Sequence, residues 1–362
     1  MRASSIAYGY RALSALAVVL LWGVYTLNGG LKANFLAPWT GKLNEDTPLR
    51  TNYTGIFILD YLLNLLITFF YYTTNGSDEG AQLLAFEGYS TLQSSFLWLY
   101  AEMIRPGNKP WSIARPIVFV ALCQMLGGAV SLPLYYAYHM VWVDSAKILR
   151  VRDLNAATAL PFSFLLGAVL PAILGLAPTW EGPDSRSPEV HQKYLAILQL
   201  DPIWIALTQA IVTNALGRTR PGSGVDPCRA AHGWTRSSYL LAAASSAIAH
   251  LYTAARILAS TDERTNLLRM RVPSPLDGPT GGLPDILARR SILFLQFDIP
   301  ILDVASLAWV FFLLSRTTNG PRMSASKLAL MLLIGYVTIG AGATVSLALY
   351  VREGTLPEKD ES

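Results

Sequence analysis

Apolar residues along this 362-residue chain gather into nine long runs, at 12–31, 55–74, 82–104, 116–140, 157–176, 194–216, 238–258, 291–314 and 327–350. Each approaches the roughly 20 predominantly apolar residues that a helix needs to cross hydrocarbon. Lipid offers backbone groups no hydrogen-bond partner, so runs this long, without strand-like alternation, predict helices. The pattern predicts an all-α integral membrane protein, a polytopic bundle of eight or nine transmembrane helices forming one domain over 1–350. The first run follows Arg2 and Arg11 and ends at Gly29 and Gly30, as a signal peptide could, but it continues to Leu31 and reads as an anchor or a true first helix. Loops 217–237 and 259–290, rich in Pro, Gly and Arg, read as surface connections. Residues 351–362 read as a polar tail without structure.

Composition agrees with a membrane setting: 52% of residues are hydrophobic and only 14% charged, where soluble domains carry about 25% charged. The mean hydropathy is +0.37. The net charge of +4 falls mostly between the apolar runs, which suits loops facing lipid headgroups and gives no support to nucleic-acid binding. Lys and Arg occur in nearly every loop, so the charge bias sets no orientation. Cys123 and Cys228 cannot make a disulfide framework or a paired metal site.

Ionisable groups inside hydrocarbon cost about 2.5–3.5 kcal/mol each on insertion scales, which makes every one a functional candidate. The candidates are Asp60, Glu87, Glu102, Asp201, His250, Asp298 and Asp303. Two apolar runs share an echo, Leu198-Gln199-Leu200-Asp201-Pro202 and Leu295-Gln296-Phe297-Asp298-Ile299-Pro300. Proline removes a helix hydrogen bond, so both are expected to kink there. At about 100° per residue, Gln296 and Asp303 share a face while Asp298 lies roughly 200° from Gln296. Two carboxyls near each other in a low-dielectric pocket leave one neutral and able to donate its proton, which favours a functional role for Asp298. Asp201 reads equally well as a helix-to-helix hydrogen bond.

Glu87 and Glu102 share one face but lie roughly 22 Å apart along the helix, too far to act on one proton. Glu102 opens the segment Glu102-Met103-Ile104-Arg105-Pro106-Gly107-Asn108, where an i,i+3 pair with Arg105 is either a simple ion pair or a carboxyl held at the mouth of the bundle. Phe69, Phe70, Tyr71, Tyr72, Trp98, Tyr100, Tyr135, Tyr136, Trp204, Phe294 and Phe297 fall within or beside the runs. They suit interfacial belts and packing, or the walls of a cavity whose π faces attract cations by about 2 kcal/mol.

There is no Asp-Asp-x-x-Asp and no Asn/Asp-x-x-x-Asp pair to hold magnesium and a diphosphate. P-loop and dinucleotide fingerprints are absent. The four histidines, His139, His191, His232 and His250, are scattered singly, so neither a metal nor a cofactor is expected. A lone His250 on an apolar helix reads first as a hydrogen-bonded packing residue rather than a base.

The segment Leu295-Gln296-Phe297-Asp298 in the penultimate helix, the segment Glu102 to Asn108 closing the third, and the multi-spanning layout together resemble the fungal membrane-bound terpene cyclases of meroterpenoid pathways, of the ascochlorin, ascofuranone and macrophorin type. The resemblance implies eight helices, one fewer than the apolar runs. It also implies a cofactor-free cyclase that protonates a terminal epoxide or alkene of a prenyl chain on an aromatic or quinone-like head, in an endoplasmic reticulum or other endomembrane. By that match Asp298 or Glu102 is the general acid, with Gln296, Arg105 and Asn108 as supporting residues. Asp60, Asp201 and Glu87 are candidates by expected burial alone. A proton-coupled or small-molecule transporter is the alternative, since paired interrupted helices point to a transport site. Nothing specific speaks for a third class, a receptor or scaffold.

Overall fold

A computed structural model describes residues 3–145, 150–176, 182–217, 226–273, 282–316 and 323–357. Among them no strand forms; Lys42 and Pro48 make one isolated backbone bridge. The first described helix is α1 (Ala3–Leu27), which widens into a π-helical stretch over Val19–Gly23. It continues through α2 (Gly30–Thr40), α3 (Phe57–Thr74), α4 (Glu79–Met103), α5 (Pro116–Leu126), α6 (Gly128–Ser145) and α7 (Leu154–Leu176). Then come α8 (Pro188–Gln199), α9 (Asp201–Gly217), α10 (Pro227–Ala259), the short α11 (Leu267–Arg271), α12 (Leu283–Ser315), α13 (Ala325–Ile339) and α14 (Ala341–Thr355).

The expected bundle of helices is present, but its spans differ from the apolar runs. Five helices, α1, α3, α7, α10 and α12, are long and apolar enough to cross a membrane, and α8 with α9 would make a sixth as a pair bent by 54°. The run 116–140 breaks at Gly127 and the run 327–350 breaks at Gly340, with φ of +95° and +85°, values that L side chains rarely adopt. The run 82–104 does form one helix, α4, in which every residue except Glu79, Phe86 and Met103 is buried. It falls short of a lipid-facing span because it is polar: its serines bond within the helix, Gln93 reaches the carbonyl of Ala168 at 3.0 Å, and Trp98 donates to Ser346 at 2.9 Å. A helix enclosed by protein can carry such groups because its neighbours supply the hydrogen bonds.

The first helix is part of the bundle. It packs against α6 and α12, and Ser14 donates to the carbonyl of Val130 at 2.8 Å. Expected loop and tail give way to helix in three places. α10 starts at Pro227 inside the loop 217–237, α12 starts at Leu283 inside the loop 259–290, and α14 runs on to Thr355 with Arg352 and Glu353 buried. Residues 358–362 of the expected tail lie outside the described residues. At the outer surface α13 exposes Leu330, Met331, Leu333, Ile334 and Val337, an apolar face compatible with lipid.

The two echoed prolines behave differently. Pro202 lies in the first turn of α9, just after the break at Leu200, whereas Pro300 sits inside α12, which continues unbroken for 33 residues. The expected pair of interrupted helices is thus a single one, and the transporter alternative loses the observation that raised it.

Gly167 of α7 lies against α9, where an added Cβ would come within 2.6 Å of both Cα and N of Ile205. Backbone cannot yield as a side-chain tip does, so Gly167→Ala should destabilise the protein by about 1–3 kcal/mol. Gly233, in α10, has nothing within 4 Å of its Cβ position, and Gly233→Ala should stabilise by about 0.5–1 kcal/mol through helix propensity. Unfolding in detergent, followed by tryptophan fluorescence, compares the two.

Candidate active site

A cavity of about 490 Å³ opens among α1, α2, α3, α4, α5 and α12. Its walls are apolar, and one side is aromatic: Trp22, Tyr25, Phe69, Phe70 and Phe294 line it. The ring of Phe294 meets Phe69, Trp22 and Tyr25 edge-on at 5.1, 5.5 and 5.7 Å between centroids, the arrangement in which positive ring edges meet negative faces.

Asp298 stands four residues beyond Phe294, hence on the same face of α12, and lines the cavity. The break at Gly127 supplies its partners. The N–H of Gly128 donates to Oδ2 at 3.3 Å and that of Ala129 to Oδ1 at 2.7 Å, so the carboxyl lies on the first turn of α6, where the helix dipole is positive. A Cβ at position 127 would come within 2.8 Å of Oδ1, so both the positive φ and the close approach require glycine. Among the described residues no cationic side chain pairs with Asp298.

A second acid sits just behind the wall. Asp201, the first residue of α9, is fully buried. The hydroxyl of Tyr89 donates to its Oδ2, and the amide of Gln124 donates to its Oδ1 at 2.8 Å and to the Tyr89 oxygen at 2.7 Å. Tyr89 and Gln124 themselves line the cavity. Gln199 also lines it and is 4% exposed, with neither amide atom finding a hydrogen-bond partner. Sequence reasoning missed Trp22, Tyr25, Tyr89, Gln124 and the Gly127 turn. The amide at 124 and the paired glycines at 127 and 128, inside an apolar run, were the available signals; nothing distinguished Tyr89 from packing aromatics.

The other candidates lie elsewhere. Glu102 is fully buried at the far end of α4 and is neutralised there: Arg105 Nε lies 2.9 Å from Oε2, and Arg352 Nη1 lies 2.7 Å from Oε1. His139 joins them. Trp309 donates to its Nδ1 at 3.1 Å, so Nε2 carries the hydrogen and donates to Glu102 at 3.0 Å. Arg105 also pairs with Glu353 at 2.7 Å. Asn108 is exposed, and its carbonyl accepts from Trp142 at 3.0 Å. Glu87 is held by Arg271 and by His250, which lies 2.7 Å away and also meets the carbonyl of Val337 at 3.2 Å, the hydrogen-bonded role expected of it. Asp60 caps the turn before α3 through the backbone of Tyr53, Thr54 and Gly55 and the Thr54 hydroxyl. Gln296 points away from the cavity and donates to the carbonyl of Arg269 at 2.6 Å, as the helical angle to Asp298 requires. Asp303 is buried with Oδ1 unpartnered, and it does not line this cavity. Among the described residues no group of three or more His, Cys, Asp or Glu comes together.

The helical bundle thus sets a carboxyl against an aromatic-walled, largely apolar cavity. The chain belongs to the CtvD domain family, whose model matches residues 8–356. Its relatives include terpene cyclase DEP1 of Fusarium langsethiae, 29% identical over 95% of this chain and 97% of the relative, and terpene cyclase DEP1 of Alternaria brassicicola, 27% identical over 95% and 97%. Terpene cyclase ascI of Acremonium egyptiacum is 27% identical over 81% of this chain and 78% of its own length. These names bear out the resemblance to fungal terpene cyclases. No solved structure matches the chain.

Removing one partner of a buried ion pair leaves an uncompensated charge, which costs about 3–5 kcal/mol. Arg352→Met should therefore lower the unfolding free energy by about that amount, and Glu102→Met combined with it should recover part of the loss; thermal unfolding of the two variants in detergent checks this.

Proposed function

We propose that the protein is a membrane-bound, metal-independent terpene cyclase, with Asp298 as the proton donor that starts cyclisation. The observation that carries this reading is that Asp298 faces an apolar, aromatic-lined cavity with only backbone N–H groups as partners, while Glu102 and Glu87 are tied to arginines. The N–H donors orient the carboxyl and stabilise the carboxylate that remains once its proton has passed to the substrate. The cavity volume, about 490 Å³, falls within the roughly 300–1,000 Å³ common to small-molecule sites, in keeping with a farnesyl-type chain on an aromatic or quinone-like head.

In this mechanism the Asp298 proton passes to the epoxide oxygen or the terminal alkene carbon. The C–O bond opens, or the π bond is consumed, leaving a carbocation. A neighbouring alkene attacks it to form the ring C–C bond. The aromatic wall stabilises each successive cation by roughly 2 kcal/mol where water is excluded. The last cation loses a proton to the Tyr89 oxygen as the Tyr89 hydrogen moves to Asp201, and the product is an isomer of the substrate. Gln199, with both amide atoms unpartnered, hydrogen-bonds the polar head. The apolar runs broken at Gly127 and Gly340 count as crossings in this reading, giving eight or nine in an endoplasmic reticulum or other endomembrane.

Detergent-opened membranes incubated with farnesylated and terminally epoxidised farnesyl phenols test it. The wild type should form a product of unchanged mass and altered retention, with or without a chelator. Asp298→Asn should lower turnover by about 10²-fold or more, the usual contribution of a general acid, whereas Glu102→Gln should lower the yield of folded protein and leave turnover per folded molecule within a few-fold. Gln199→Leu should raise KM more than it lowers kcat. Asp298→Asn turning over at the wild-type rate, or a chelator abolishing the reaction, would refute the assignment.

A further inference from the structure

The cavity that holds Asp298 reaches the outer surface. Phe35, Leu59, Leu62, Met125 and Ile203 line it, and each is between 43% and 50% exposed. The apolar surface continues past this mouth: Ile58 on α3, Leu126 on α5, and Leu207 and Ile211 on α9 are exposed as well. A spacing of four residues sets Ile203, Leu207 and Ile211 along one stripe of α9. No charged residue occurs in α5 or between Pro202 and Gly217. Asp60, the one charged residue of α3, is buried and bound to the turn before that helix. Among the described residues Asp298 is the one acidic or basic side chain in the lining.

Contiguous exposed apolar surface marks contact with a membrane or a partner, and α3 is itself long and apolar enough to cross a bilayer. One edge of the mouth is polar. Thr54, exposed in the turn before α3, also lines the cavity, and its hydroxyl donates to Asp60 at 2.9 Å. That turn ends a spanning helix, the level at which hydrocarbon gives way to headgroups. Gln199 and Leu200 line the cavity at the 54° bend between α8 and α9, just ahead of Ile203. A mouth that is apolar along α3, α5 and α9 and polar at a helix end matches a molecule whose apolar chain lies in the bilayer and whose polar head stays at the interface.

We propose that this mouth is a lateral portal through which the prenyl chain of the substrate enters from the bilayer rather than from water. The identity of the occupant rests on the cyclase reading; the portal is tested without it. Cys123 lines the cavity and is 3% exposed, and the other cysteine, Cys228, lies in the first turn of α10, outside the lining. Cys228→Ser protein in phosphatidylcholine vesicles therefore reports access through labelling of Cys123, read by mass spectrometry. N-hexylmaleimide, which enters the bilayer, should label Cys123 about tenfold faster or more than a sulfonated maleimide that stays in water. Leu62→Trp with Ile203→Trp, both at exposed sites, should slow that labelling severalfold, and Leu62→Trp alone serves if the pair does not fold. Leu330→Trp, on the exposed face of α13, should leave it unchanged. Farnesyl phenol in the vesicles should protect Cys123, and phenol should not. Equal labelling by the two reagents would give the cavity a water route and overturn the proposal. So would unchanged labelling of the folded tryptophan variants, a Cys123 that neither reagent reaches before unfolding, or a farnesyl phenol that gives no protection. The labelling needs no turnover, so a protein that labels as expected yet cyclises nothing would support the portal while counting against the cyclase reading.

Discussion

Burying a carboxyl among apolar side chains is costly unless hydrogen bonds or a cation compensate, and at Asp298 the compensation comes from a break in the backbone. The turn at Gly127 ends α5 and aims the first N–H groups of α6 at the carboxyl. This contact joins α12 to α6 and leaves the side chain beside the aromatic wall made by α1, α3 and Phe294. A side chain at 127 would remove both the turn and the space for Oδ1, so the position of the acid depends on one glycine.

The buried acids divide by their partners. Glu102, Glu353 and Glu87 each meet arginine or histidine and act as cross-links, the first two binding the ends of α4 and α14 together. Asp60 organises the turn before α3. Asp298 and Asp201 meet only neutral donors, and they are the acids that line the cavity or stand directly behind it. An acid paired with two arginines is a poor proton donor, because giving Glu102 a proton would leave two buried arginines with Glu353 as their one carboxylate. Glu102, Glu353 and Glu87 thus serve as cation-paired cross-links, whereas Asp298 and Asp201, where proton transfer is proposed, meet neutral donors.

Apolar run length made the helical class legible, and the angular argument separated Gln296 from Asp298 correctly because α12 stays helical through Pro300. Run length could not foresee the breaks at Gly127 and Gly340, since a single glycine barely changes hydropathy while its positive φ redirects the chain. Nor could it show that Glu102 meets Arg352, which lies 250 residues away; local spacing offered only Arg105 as a partner. The cavity draws on residues from Trp22 to Leu302, and such long-range convergence leaves no periodic trace. Asp298 could be singled out because an acid in an apolar run is conspicuous, and it lines the cavity, whereas Tyr89 and Gln124 become informative only once Asp201 is seen between them.

The central claim is that Asp298 gives up the proton that starts cyclisation from its place at the cavity wall. Single-turnover cyclisation in ordinary and in deuterated water, wild type against Asp298→Asn, tests this most directly. The account predicts that the wild type slows in deuterated water and that the residual turnover of Asp298→Asn loses that slowing. Equal wild-type rates in the two waters, or an undiminished isotope effect in the variant, would contradict it.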